Sequence, residues 1–153
     1  MKTICAGTFD LIHRGHRALL DVAIKMAGDD SLCIGITVLP LHRKTHPISP
    51  FFDRLGSVYD YVNSKVKFTM IDMDKMIPEK AYDRSLECIV CSTESYKGAL
   101  KVNYARLMLD IPELLIVVVP VLYDYFGRKI STTNIYAGVI DREGEEVCLK
   151  KEI

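Results

Sequence analysis

Leu32-Cys33-Ile34-Gly35-Ile36-Thr37-Val38 is apolar almost throughout. A strand with one wet face alternates apolar and polar residues, whereas a continuously apolar run needs cover on both faces. That requirement predicts a parallel sheet with helices on either side. Further strand-like runs lie at residues 2–6, 66–71, 86–91 and 114–119. Segments of helical spacing separate them. Leu19, Leu20, Ala23, Ile24 and Ala27 mark a helix over 15–27, and Phe51, Leu55, Val58, Tyr59 and Val62 mark a second. A third is expected over 96–108, and Ser49-Pro50 reads as a cap and first position for the second. A short helix is expected after Pro78, a further helix start at Ser131-Thr132-Thr133, and a hairpin or surface extension from Asp141. The β-α order predicts an α/β, doubly wound sheet of about five parallel strands in a single domain, residues 1–153.

Ligands of such sheets sit beyond the C-terminal strand ends, where the strand order reverses. That rule gathers the loops holding His13 and His16, Lys44, Ser92–Lys97 and Lys129–Thr133 around one crevice. The first of these loops is the most specific. Ala6-Gly7-Thr8-Phe9-Asp10-Leu11-Ile12-His13-Arg14-Gly15-His16 runs from a strand through a glycine-bearing turn into a helix. Backbone N–H groups and the positive helix end favour an anion there. Two histidines about one helical turn apart add side-chain donors. The pattern predicts a phosphate site.

Formal net charge is zero, which gives no electrostatic footprint for nucleic acid. No apolar run approaches the ~20 residues that span a bilayer. The chain opens on a strand-like segment rather than a secretory signal, so a cytoplasmic location is expected. Five cysteines scattered through apolar runs do not form a disulfide framework. Cys88-Ile89-Val90-Cys91 has redox spacing but lies inside a strand-like run, so its cysteines read as packing residues. His13, His16, His42 and His46 have no carboxylate at a known metal-ligand spacing, so no protein-bound metal is expected at them.

Gly7-Thr8-Phe9-Asp10 followed by His13-Arg14-Gly15-His16 resembles the HxGH signature of the nucleotidyltransferase superfamily. Lys129-Ile130-Ser131-Thr132-Thr133 resembles its second signature. Residues 86–103, with Tyr96-Lys97-Gly98-Ala99-Leu100 at their centre, and Ala137-Gly138-Val139-Ile140-Asp141 are similar to the archaeal and eukaryotic type of phosphopantetheine adenylyltransferase. Pro50 to Leu55, with Arg54, is a weaker match.

The resemblance implies a Rossmann-like fold and transfer of the adenylyl group of ATP to 4′-phosphopantetheine. The products would be dephospho-CoA and pyrophosphate, with Mg2+ accompanying ATP. It implies that His16 and His13 contact the nucleotide phosphates, His16 as the transition-state donor, and that Lys44 neutralises phosphate near the acceptor. Thr8 would orient the acceptor phosphate, with Phe9 beside it in the same turn, and Gly15 would permit close approach. Lys97 and Arg106 are candidates for phosphate or pantetheine contacts, although Arg106 also reads as a surface helix charge. Ser131, Thr132 and Thr133 would hold the β- and γ-phosphates, and Tyr123, Tyr125 and Phe126 would flank the adenine.

Two departures stand out. Relatives usually begin the first turn Gly-Gly, where this chain has Ala6-Gly7, and often carry Ile-Arg where it has Ile135-Tyr136. Lys129 or Arg128 would then supply the missing cation. Rival readings are an alcohol-phosphate cytidylyltransferase, an FAD synthetase, or a nucleotide-binding module without catalysis. A monomer is the starting expectation for assembly.

Overall fold

A computed structural model describes residues 1–40 and 46–147. In chain order the elements are β1 (Thr3–Gly7), α1 (Arg14–Ala27), β2 (Ser31–Thr37), α2 (Phe51–Val62) and β3 (Lys67–Met73). A single 3-10 turn (Glu79–Tyr82), β4 (Cys88–Ser92), α3 (Tyr96–Met108), β5 (Leu115–Val119) and α4 (Thr132–Tyr136) follow. The strands form one sheet in the order β3-β2-β1-β4-β5, and every pairing is parallel. The order reverses between β1 and β4, so the crevice expected from the sequence opens at the C-terminal end of β1.

The strands bury alternate residues on opposite faces. Cys5, Leu32, Ile34, Ile36 and Val90 pack beneath Leu19, Leu20 and Ala23 of α1 and Val58 and Val62 of α2. On the other face Ile4 and Cys33 meet Val102 of α3, Ala81 and Leu86. Both faces are covered, which accounts for the apolar run through β2.

Two of the boundary shifts have a visible tertiary cause. Pro50, not Ser49, takes the cap position of α2, and no side chain caps it. The backbone N–H of Ser49 donates instead to Asp10 Oδ1, which draws Ser49 out of the helix. The third strand runs on to Met73, because it pairs with β2 along its whole length, from Ser31↔Lys67 to Thr37↔Met73. The segment after Ile140 makes the expected short hairpin. An antiparallel bridge joins Ile140 to Glu146, with Gly144 at φ 83° between them. Ile130 Cδ1 would lie 2.4 Å from a Cβ at Gly144, so a side chain is excluded there by both conformation and space.

Cys88 and Cys91 are buried in β4, and burial raises both thiol pKa values, as packing residues should behave.

Arg106 corrects the sequence reading most sharply. It is neither a surface charge nor a phosphate contact, but is fully buried. Its guanidinium donates to the carbonyls of Pro112 (2.7 Å), Ala81 (2.6 Å), Asp83 (3.0 Å) and Leu86 (3.5 Å). Those carbonyls belong to connections with no ladder partner, and a planar five-donor group satisfies several at once. Arg106→Ala removes the donor from the buried Ala81 and Leu86 carbonyls. It should lower the unfolding free energy by about 3 kcal/mol, read as a shifted urea midpoint.

Candidate active site

The turn leaving β1 is strained. Phe9 and Leu11 hold φ of 52° and 47°, values that bulky residues rarely adopt outside functional turns. Ala6 is not among the positive-φ residues; it is a β1 residue paired with Gly35, so the first-glycine position needs no glycine here. The Phe9 ring is buried against Gly7, where a Cβ would come within 3.1 Å of its edge.

Arg54 holds this turn from below. It donates to the carbonyls of Thr8 (2.8 Å), Thr37 (2.8 Å), Val38 (3.1 Å) and Ser49 (2.9 Å), joining the ends of β1 and β2 to the start of α2. Thr37 Oγ1 donates to Thr8 Oγ1 at 3.0 Å, which fixes the Thr8 side chain as well. The sequence carried a signal for Arg54. It lies four and eight residues before Val58 and Val62, on the buried stripe of α2.

The two signature histidines form a reciprocal cap on α1. His13 is the N-cap, and its Nδ1 accepts from the backbone N–H of Gly15 (3.0 Å) and His16 (3.3 Å). His16 Nδ1 in turn accepts from the backbone N–H of His13 at 3.4 Å. The rings stack with centroids 3.7 Å apart. Because Nδ1 is an acceptor in each ring, each carries its hydrogen at Nε2, which is therefore the donor nitrogen of the ring. Burial, reinforced by the positive charges of Arg17 and Lys129, lowers the His13 pKa to about 4, so this ring is neutral near pH 7. Gly15 has a reason beyond phosphate approach: a Cβ there would sit 3.0 Å from His13 Cε1.

The second signature closes over the first. Ser131 caps α4 by accepting from the Asn134 N–H, and Thr132 Oγ1 donates to the Asp10 carbonyl at 3.0 Å. Lys129 is ion-paired with Glu94. Thr8, Phe9, His13, Gly15, His16, Lys129, Ser131, Thr132 and Thr133 all line one cavity of about 360 Å3, with Val119-Pro120-Val121-Leu122 as an apolar wall.

Lys97 is not among them. It lines an adjoining cavity of about 500 Å3 with Met73, Met76, Pro78 and Val102. Ala6, Gly7, Thr8, Glu94 and Ser95 border both cavities, so the two meet at the end of β1. Lys44 lies outside the described residues. Tyr123, Tyr125 and Phe126 line neither cavity and are exposed. Arg128 is held by Asp124 at 2.7 Å, away from both.

The family model described as cytidylyltransferase-like matches residues 4–138. The phosphopantetheine adenylyltransferase of Archaeoglobus fulgidus is 38% identical over 146 residues, covering 94% of this chain and 98% of that protein. A bifunctional phosphopantetheine adenylyltransferase/NTP phosphatase of Thermoplasma volcanium is 34% identical over 96% of this chain, which spans only 45% of that longer protein. A solved structure of a protein of unknown function from Archaeoglobus fulgidus superposes with a TM-score of 0.68 at 34% identity, covering 78% of this chain and 89% of that one.

The neutral, buried His13 links stability to pH. Its folded pKa, about 4, lies below the unfolded value near 6.5, so unfolding takes up a proton between those limits. This contribution is fully present above about pH 6.5 and falls by roughly 3 kcal/mol as the pH drops to about 4. An imidazole NMR titration of His13 should show a midpoint near 4; a midpoint near 6.5 would contradict the burial argument.

Proposed function

The chain belongs to the cytidylyltransferase-like family and, within it, to the phosphopantetheine adenylyltransferases, and on that premise we propose how its two cavities divide the reaction. The chain transfers the adenylyl group of ATP to 4′-phosphopantetheine, giving dephospho-CoA and pyrophosphate in coenzyme A biosynthesis. One observation carries the assignment of sites: a donor-lined cavity and a largely apolar one meet at Gly7 and Thr8. ATP occupies the first, with its base along Val119–Leu122 and its phosphates at the histidines and Ser131–Thr133. The pantetheine arm lies in the second, with Lys97 on its wall and its phosphate at Thr8.

An oxygen of the acceptor phosphate attacks the α-phosphorus of ATP, and the bond from that phosphorus to the bridging oxygen breaks. Pyrophosphate leaves with the electron pair. A phosphate oxygen is already nucleophilic at neutral pH, so the protein's work is alignment and charge stabilisation. This fits a site with neutral imidazole donors and hydroxyls. Lys129 must leave Glu94 to reach a phosphate.

Magnesium is proposed as the companion of ATP. The described residues hold no cluster of three or more metal-ligating side chains. They do hold one buried carboxylate oxygen without a hydrogen-bond partner, Asp10 Oδ2, on the wall of the donor-lined cavity. Asp10 would hold a Mg2+ ion that arrives with ATP, and the ion would neutralise phosphate charge there. A monomer is proposed as the functional unit. No helix among the described residues is long and apolar enough to cross a membrane, and a cytoplasmic location is proposed.

His16→Ala should lower kcat at least about 100-fold, with the fold retained by circular dichroism, because it removes a donor to the transition state. The assay follows pyrophosphate release from ATP, Mg2+ and 4′-phosphopantetheine. An unchanged rate would remove His16 from the mechanism, and turnover only with CTP and an alcohol phosphate would replace the assignment with a cytidylyltransferase.

A further inference from the structure

Among the described residues, Lys129 is the lysine or arginine that lines the donor-lined cavity. Apart from His13 and His16, its ionisable walls among the described residues are Asp10, Glu94, Lys129 and His46. Two are carboxylates, the lysine is ion-paired with Glu94, and His13 is neutral near pH 7. A triphosphate brought into these surroundings gains from a further cationic or donor group, and His46, on the cavity lining, is placed to provide one. Its ring stacks on Tyr136, with centroids 4.4 Å apart and planes 28° from parallel. Its Nδ1 lies 2.9 Å from the Pro47 carbonyl. A carbonyl only accepts, so Nδ1 carries a hydrogen and the ring is fixed in orientation. Its Nε2 then faces Thr133 Oγ1 at 3.5 Å, the outer limit of a hydrogen bond and a contact readily exchanged for a phosphate oxygen.

We propose that His46 is a ligand of the nucleotide's terminal phosphates and that Tyr136 positions it, so that the pair discriminates a nucleoside triphosphate from a monophosphate. With Nδ1 already a donor, Nε2 donates when the ring is doubly protonated, the form that neighbouring phosphate charge stabilises. An aromatic ring cannot supply the cation itself, but it holds an imidazolium by stacking and by its negative π-face. Tyr136 thus replaces an arginine in function only through His46. The identity of the nucleotide rests on the adenylyltransferase reading above; the phosphate role does not.

The test is equilibrium binding, by calorimetry, of ATP, AMP, CTP and CMP in Mg2+ to the whole chain and its variants. His46→Ala should weaken ATP about 10-fold and leave AMP within about twofold, since only the triphosphate loses a charge-assisted contact. Tyr136→Ala should give the same selective loss, and Tyr136→Phe should recover it because the stack is kept. Adding Tyr136→Arg to His46→Ala should restore ATP affinity by returning a cation to the same place. His46 is half-buried and Tyr136 exposed, so these variants should fold. Equal loss for ATP and AMP, or no loss for either, overturns the proposal. The same selective loss on CTP against CMP, with ATP bound no better than AMP, overturns the adenylyl reading while upholding His46.

Discussion

The site depends on backbone carbonyls that the sheet leaves unpaired. A parallel strand that ends at a ligand crevice has no ladder partner for its last carbonyls, and burying them bare is costly. Arg54 answers this at the ends of β1 and β2 by donating to Thr8, Thr37, Val38 and Ser49. The turn that follows can then hold Phe9 and Leu11 in a left-handed conformation. Asp10, on the same turn, is tied to Ser49 by its side chain and to Thr132 by its carbonyl. One guanidinium therefore sets where the two signatures meet. Arg106 plays the matching structural part on the other face of the sheet.

The histidines are shaped by the same economy of backbone groups. A helix start leaves N–H groups without partners, and here the two rings that line the cavity also satisfy them. Capping fixes each ring's Nδ1 as an acceptor and so determines which nitrogen donates. Burial then keeps His13 uncharged. The cap at Nδ1 and the proposed donor at Nε2 share one ring, so a substitution at His13 disturbs both.

The fold was legible because its signals are strong. Apolar strands, helical spacing and glycine turns placed every element to within a few residues. Pro50 and Met73 moved because a tertiary partner overrode the local pattern, Asp10 in one case and β2 in the other. The cavity was legible through the two signatures, which hold most of the expected residues together. Arg106 was misread because charge predicts exposure unless carbonyls that need donors lie nearby, and sequence does not display those carbonyls. Lys97 was expected in the same crevice as the signatures but lines the adjoining cavity, a separation that spacing alone does not display. His46 was weighed only as a metal ligand, because its partner Tyr136 lies ninety residues away in sequence and adjacent in space.

The central claim is direct transfer between two cavities that meet at Thr8. A single displacement inverts the configuration at the α-phosphorus, whereas a covalent enzyme intermediate retains it through two displacements. ATP carrying a chiral α-phosphorothioate, turned over with 4′-phosphopantetheine, reports this in the dephospho-CoA formed, by phosphorus NMR. The account predicts inversion, and retention would contradict it.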